Sequence, residues 1–428
     1  MKNLFKRIIT DFIEKDLPIL VPRDYEIPTT SKKIISLVGV RRSGKSSLLF
    51  NIIRELRQTL PRENLIYINF EDDRLYPLQL RHLDDLLKAY YELYPQKRNE
   101  KIYLFLDEVQ VVENWELYVR RIYDTTQVGI FITGSSAKLL STEIATSLRG
   151  RTLTYEIFPF SFKEYLMAKD IPINLHSSTS LSYIHHALDQ YIVDGGFVET
   201  INEDSLIARK ILSDYLDMVV FRDIAQRYQV SNLALLRLLN KYCFTNMATL
   251  LSVTKLYNEF KSQGFKLSKD TLFNYLTYLE DAYALFTVPI YRNSIKEEQR
   301  NPKKIYIIDN GFKKIHDYAI SSDMGKLYEN IVFLHLRRQT NAVYYFKEKH
   351  EVDFYAKLPD KEILIHVSSD ITNASTQERE INGLVEAMNY FMVNESFLIT
   401  RDEEQTLTVD GKKIHTIPLY RFLLEKNF

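Results

Sequence analysis

Apolar positions along this chain follow two rhythms. Four short runs, Ile34 to Val38, Leu65 to Phe70, Ile102 to Leu106 and Gly129 to Thr133, are largely apolar and of strand length, Ile34 to Val38 reading as a buried strand, and Leu153 to Ile157 is a fifth candidate. Between them apolar residues recur at helical spacing, as in Leu48, Leu49, Ile52, Ile53 and Leu56, then Leu83, Leu86, Leu87 and Tyr90, then Leu117, Val119 and Tyr123. Strands alternating with helices predict a doubly wound α/β unit with a parallel sheet. From Ser161 to Gln229 the pattern is mostly helical, broken by Gly195 and Gly196. Three short helices follow, around Leu235 to Leu239, around Leu256 to Phe260, and from a Ser268 N-cap through Leu272, Tyr275, Leu276 and Leu279. Two strands are expected at Tyr283 to Tyr291 and Lys304 to Ile308. Beyond Leu327 a helix precedes strands at Ala342 to Phe346, Val352 to Ala356 and Ile363 to Val367, and a helix covers Glu378 to Phe391.

Composition narrows the possibilities. The 428 residues are 45% hydrophobic and 26% charged, with 56 basic and 56 acidic side chains, which excludes wholesale disorder and a generally polycationic surface. Any nucleic-acid contact must come from a local patch. The single cysteine, Cys243, cannot form an intramolecular disulfide, and no Cys/His run has zinc-ligand spacing, so a reducing compartment and no structural metal are expected. No signal peptide is visible, and no run approaches the roughly 20 apolar residues of a membrane span. The expected location is the cytoplasm, without membrane contact.

The most specific chemistry is in Gly39-Val40-Arg41-Arg42-Ser43-Gly44-Lys45-Ser46, a full GxxxxGK[ST] phosphate loop placed between a buried strand and an amphipathic helix. Glycines let backbone N–H groups turn inward on phosphate oxygens at the helix N-terminus. Gly39, Arg42, Ser43, Gly44, Lys45, Ser46 and Ser47 are therefore the expected ATP contacts, with Lys45 on the β- and γ-phosphates and the Ser46 hydroxyl on Mg²⁺. The strand ending Leu106-Asp107-Glu108 offers Asp107 to the same Mg²⁺ and Glu108 to orient or deprotonate the attacking water. The polar strand end Thr133-Gly134-Ser135-Ser136 is expected beside it, with Ser135 as a γ-phosphate contact.

These residues carry a resemblance. The phosphate loop with paired arginines, Leu106-Asp107-Glu108-Val109-Gln110, Trp115-Glu116, Phe131 to Ser136, and Leu148-Arg149-Gly150-Arg151 leading to Phe158-Pro159-Phe160-Ser161-Phe162 resemble the AAA-type ATPases of bacteria and archaea that carry a C-terminal nuclease-like domain of unknown function. The resemblance implies a homo-oligomer in which Arg149 or Arg151 reaches a neighbouring subunit's nucleotide. Taken alone, an arginine ahead of a strand is usually a solvated charge.

Three helices followed by a strand pair are the layout of a winged helix-turn-helix. Arg292, Lys296, Arg300, Lys303 and Lys304 flank the strand pair as a local positive patch. Double-stranded DNA contact through Lys269, Asn274, Arg300, Lys303 and Lys304 and packing against a protein partner are both open readings. The last segment resembles the PD-(D/E)xK nuclease fold, where a helix Glu, a strand Asp and an acid-x-Lys strand gather Mg²⁺ and activate water. Glu329 and Asp353 match the first two. His366 and Ser368 stand where the carboxylate and lysine belong, so a degenerate, non-cleaving site is expected unless Lys347, Lys349 or Lys357 substitutes.

The expected organisation is an α/β, AAA-like P-loop core over residues 1–160, a helical lid over 161–230, a winged helix-turn-helix over 231–310 and the nuclease-like α/β domain over 311–428. The expected activity is Mg²⁺-dependent ATP hydrolysis governing a DNA-binding module. Competing readings are an ATP-gated switch that holds a protein partner and a nuclease effector.

Overall fold

The computed structural model describes residues 1–134, 148–316, 324–369, 371 and 373–425. The chain divides into two compact units, one of residues 1–158 with Asp281–Tyr283, the other of residues 159–280 and 284–428.

In the first unit five parallel strands form one sheet. They are β1 (Ile34–Val38), β2 (Leu65–Asn69), β3 (Tyr103–Asp107), β4 (Gly129–Gly134) and β5 (Thr152–Glu156), in spatial order β2-β3-β4-β1-β5. The expected doubly wound sheet is present, because runs such as Ile34–Val38 are buried at every position and need cover on both faces. That cover comes from α1 (Lys2–Glu14), α2 (Lys45–Leu56), α3 (Asp84–Leu93) and α4 (Trp115–Thr125). Leu48, Leu49, Ile52 and Ile53 of α2 pack on Ile35, Leu37, Phe105 and Phe131, with the last two rings stacked at 4.7 Å. Trp115 is buried at the start of α4. The strand order matters for function: β4 lies between β1 and β3, so its polar end stands beside both the phosphate loop and Asp107.

The second unit opens with helices Phe162–Ala168, Ser178–Asp194 and Ser205–Met218, the last running into a π-helical stretch, Val219–Gln226. The helix ending at Asp194 stops because Gly195 takes φ 78°, with Asp309 packed so close that a Cβ would meet its carboxylate at 1.7 Å. Then come helices Leu233–Thr245, Val253–Ser262 and Lys269–Asp281 and a three-stranded antiparallel sheet, β6 (Leu250–Leu251), β8 (Lys303–Ile307) and β7 (Leu285–Val288), in that spatial order. Ser268 caps the third helix as expected, its hydroxyl accepting from the Thr271 N–H at 3.0 Å. The two-residue β6 and a short helix, Ile295–Arg300, were not visible in the apolar pattern, being too short to show a period.

A six-stranded mixed sheet completes the unit: β9 (Val343–Lys347), β10 (Glu351–Lys357), β11 (Glu362–Val367), β12 (Glu395–Thr400), β13 (Gln405–Val409) and β14 (Lys412–Pro418), ordered β13-β14-β12-β11-β10-β9. Helix Ala374–Phe391 covers one face through Leu384, Ala387 and Met388, which meet Val352, Leu364 and Leu398. Helix Met324–Arg337 carries Asn330, whose side chain acts as a piece of strand. It accepts from the Ile307 N–H at 2.9 Å and donates to the Ile307 carbonyl at 3.0 Å. The two sheets also touch directly, since the Tyr291 N–H donates to the Tyr345 carbonyl at 2.7 Å and the Tyr345 N–H to Pro289 at 3.0 Å. Among the described residues no helix is long and apolar enough to cross a membrane.

Candidate nucleotide site and a buried ion cluster

The phosphate loop takes its shape from two glycines. Gly39 has φ 150°, and a Cβ there would stand 2.2 Å from the Ile157 carbonyl; Gly44 has φ 93°, and a Cβ would stand 2.6 Å from the Arg23 guanidinium. Arg23, from the segment ahead of β1, donates to the Ser43 carbonyl at 2.8 Å and to the Phe158 carbonyl at 2.7 Å, bracing the loop from outside. Lys45 is buried at the first turn of α2, with its ammonium 3.1 Å from the Gly39 carbonyl and 3.0 Å from that of Val40. The ammonium thus lies over the loop. The Ser43 hydroxyl is buried and finds no partner within the protein, and Arg42 is exposed with φ 65°.

Asp107 is fully buried at the end of β3. Three hydroxyls converge on it: Tyr67 donates to Oδ2 at 2.7 Å, Thr133 donates to Oδ1, and Ser46 reaches it from α2. Burial pushes the Asp107 carboxyl above its ordinary range, while those hydroxyls pull it back. The two side chains expected to share Mg²⁺, Ser46 and Asp107, are therefore in contact. Glu108 follows in the left-handed region at φ 54°, ψ 51°, a conformation that costs a non-glycine residue ~1 to 3 kcal/mol. Its N–H donates to the Thr133 hydroxyl at 2.9 Å, and Gln110 donates to its Oε2. Thr133 thus ties together both acids at the β3 end. Thr133 stands beside the acidic strand end, where its own strand end was expected, whereas Tyr67 carries a role that the local sequence did not single out, because only the strand order brings it to Asp107. Ser135 and Ser136 lie outside the described residues.

A family model described as an AAA domain matches residues 31–166. An uncharacterized protein of Methanocaldococcus jannaschii is 36% identical over 99% of this chain and 96% of its own length. The chain belongs to the family of this archaeal protein and carries an AAA domain. A second uncharacterized protein, from Haemophilus influenzae, is 32% identical over 89% of the chain and 92% of its own length. Two further models, both described as domains of unknown function, match residues 185–316 and 324–422. Among solved structures, a Walker-type ATPase of Pyrococcus abyssi aligns over 74% of this chain and 95% of its own, at 13% identity and a TM-score of 0.43.

Within the AAA domain the two arginines ahead of β5 differ. Arg151 forms a bidentate pair with Asp124, Nε to Oδ1 at 2.9 Å and Nη2 to Oδ2 at 3.1 Å. Arg149 is exposed on a turn.

In the second unit of the AAA protein, Lys269 and Asn274 lie exposed on the third helix, and Arg300 and Lys303 are exposed. Lys304 is not. Expected as part of an exposed basic patch, it is only 3% exposed, because alternation along β8 turns it inward while Lys303 points to water. Its ammonium contacts Asp353 Oδ1 at 2.8 Å, Glu351 Oε1 at 2.8 Å and Glu329 Oε1 at 3.0 Å. The expected substitutes lie elsewhere: Lys347 is half exposed against Glu351, Lys357 pairs with Glu362 at 3.8 Å, and Lys349 is exposed. Tyr306, two residues along the same face of β8, donates to Glu329 at 2.6 Å. Arg292 is also occupied, by Glu348 at 3.0 Å.

His366 extends the cluster. Its Nε2 stands 2.6 Å from Glu380 Oε2 and its Nδ1 3.0 Å from Asp353 Oδ2, the latter an ion pair whose N–H is not aimed for a hydrogen bond. Burial works against the imidazolium, but the two carboxylates outweigh it and raise the His366 pKa to about 10. Burial likewise opposes the Lys304 charge and is overcome by Asp353 and Glu329, which hold it well above the usual lysine value. Asp353 is driven low by His366 and Lys304 against its own burial, whereas burial and the Asp353 charge raise Glu329. Ser368, in the expected lysine position, is half buried, its N–H donating to the Ile399 carbonyl at 2.9 Å.

A testable consequence concerns pH. A histidine raised in the folded state stabilises fully below the unfolded value near 6.5 and loses that contribution as pH rises toward about 10. Chemical denaturation of the wild type is expected to show a loss on the order of a few kcal/mol across that window, absent in His366→Gln. Parallel pH profiles for the two proteins would reject the charged imidazolium.

Proposed function

We propose that this AAA protein is a Mg²⁺-dependent ATPase acting on double-stranded DNA as a homo-oligomer. The observation that carries the ATPase reading is the meeting of Ser46, Asp107, Thr133 and Glu108 beside the phosphate loop. The fit to ATP rests on the buried, unpartnered Ser43 hydroxyl and the glycine-shaped loop. Mg²⁺, when bound, supplies charge neutralisation of the phosphates; Ser46 and Asp107 would hold it. Lys45, now spanning loop carbonyls, has the reach to exchange them for phosphate oxygens. Glu108, steered by Thr133 and Gln110, orients or deprotonates water. Arg149 is the preferred trans arginine, since Arg151 is already engaged by Asp124.

For the second unit, the three helices and the sheet β6-β8-β7 support a winged helix-turn-helix, and the helix Met324–Arg337 with β9 to β12 supports a nuclease-like fold without nuclease activity. Exposed Lys269 and Asn274 on the third helix, with Arg300 and Lys303 beyond it, form the DNA-facing set. The deciding measurement is ATP turnover of the purified protein with and without duplex DNA. Stimulation supports the proposal. Indifference to DNA, with nucleotide-dependent capture of a protein, supports the ATP-gated switch, a reading favoured by the withdrawal of Lys304 and Arg292 from the positive patch.

Salt dependence measures the patch itself. Arg300→Ala with Lys303→Ala is expected to remove two phosphate contacts and to flatten the log-log slope by about two, at ~0.9 per contact. Adding Lys304→Ala should not flatten it further, and changes at Asn274 should alter sequence preference more than slope. An unchanged slope in the double variant would assign the patch to protein packing.

A further inference from the structure

The cluster alternates in charge from end to end, its buried centre flanked by exposed Lys347 and Arg379: Lys347, Glu351, Lys304 with Glu329, Asp353, His366, Glu380, Arg379. Four basic groups face four carboxylates. A site that holds a divalent cation needs an excess of oxygen-borne negative charge and open coordination positions. Here the excess is absent and the centre is filled. A lysine ammonium has three donors, and all three of its close carboxylate partners lie at 2.8 to 3.0 Å around the single Lys304 nitrogen. Hard cations take oxygens at ~2.0 to 2.6 Å, so the same three oxygens would need to close in by up to about 1 Å to hold an ion instead. Among the described residues, no group of three or more His, Cys, Asp or Glu side chains is arranged to hold a metal as it stands.

We propose that Lys304, supplied by β8, is a built-in cation that replaces a divalent metal ion among Glu329, Glu351 and Asp353, closing the nuclease-like site to metal and substrate. This inference rests on the nuclease-like reading proposed for the second unit and is independent of the ATPase assignment. It differs from a lysine restored for catalysis. A catalytic lysine must face the scissile phosphate, whereas this one is 3% exposed and surrounded by its own carboxylates. Removing the ammonium while leaving the acids should uncover a cation site that the wild type lacks.

The test uses the full chain without nucleotide, titrated with Mn²⁺ and followed by electron paramagnetic resonance, each protein being paired with its Asp353→Asn derivative to subtract ions bound elsewhere. Wild type and its derivative are expected to bind Mn²⁺ alike. Lys304→Ala is expected to gain one saturable Mn²⁺, lost in the derivative. In EDTA its melting temperature should fall by about 10 °C, as for a broken buried ion pair, and Mn²⁺ should restore most of that. Lys304→Gln, which keeps a neutral donor and more of the volume, provides a second route if the alanine variant folds poorly, and both can be purified in Mn²⁺. Three results would overturn the proposal: Asp353-dependent Mn²⁺ binding or DNA cutting by the wild type, folded lysine variants without the extra ion, or failure of both variants to fold even with Mn²⁺ present.

Discussion

Arg149→Ala is expected to bind ATP normally and to hydrolyse it ~10³ to 10⁵ times more slowly, the range by which an arginine finger accelerates phosphoryl transfer. The side chain is exposed on the turn before β5 and so is available to a neighbouring subunit. Arg151 has its guanidinium fork closed on Asp124, and leaving that pair would surrender two charge-assisted hydrogen bonds. Its alanine variant should therefore lose little turnover. Because the proposed finger acts on another subunit's nucleotide, mixing Arg149→Ala with Lys45→Ala should restore hydrolysis in mixed assemblies: one protein brings the finger, the other an intact phosphate loop. Full activity of Arg149→Ala alone, or turnover per subunit that does not change with protein concentration, would remove the trans assignment.

The second large effect separates binding from chemistry inside one subunit. Lys45→Ala removes the ammonium over the loop and should abolish measurable ATP binding along with turnover. Glu108→Gln keeps size, hydrogen bonding to Gln110 and the strained backbone at φ 54°, yet cannot accept a proton. It should hold ATP at wild-type affinity and turn over ~10² to 10⁴ times more slowly, the usual contribution of a general base. A Thr133→Val variant should lie between these, since the N–H of Glu108 and one oxygen of Asp107 would lose their common partner. Quench-flow and nucleotide-binding measurements on the same preparations decide it; wild-type turnover in Glu108→Gln would end the assignment.

What the sequence made legible was what is local. The phosphate loop, the strand before it and the helix after it are contiguous, although what crowds Gly39 and Gly44, the Ile157 carbonyl and the Arg23 guanidinium, comes from elsewhere in the chain. The pair Asp107-Glu108 was readable for the same reason, as an apolar run closed by acids. Tyr67 was harder because its value depends on β2 being the neighbour of β3, a fact of strand order that no short window contains. Lys304 was misread for a physical reason. Adjacent lysines look like one charged patch, but a strand sends successive side chains to opposite faces. The usable signal was the matching alternation of Lys304 with Tyr306 and of Glu351 with Asp353, two strands each offering complementary groups at every second position.

That inward lysine also bears on ancestry. A boundary at residue 310 looks like a natural seam for shuffling modules between genes, but the ammonium and the phenol of β8 are partners of acids on a helix and on one strand, β10, that lie beyond it. A recombination event at the seam would leave one offspring with a stranded cation and the other with a nest of unneutralised acids, both costly to bury. With the lysine in place, the two halves are expected to be inherited together, and a variant that holds a metal in the acid nest would first have to lose Lys304.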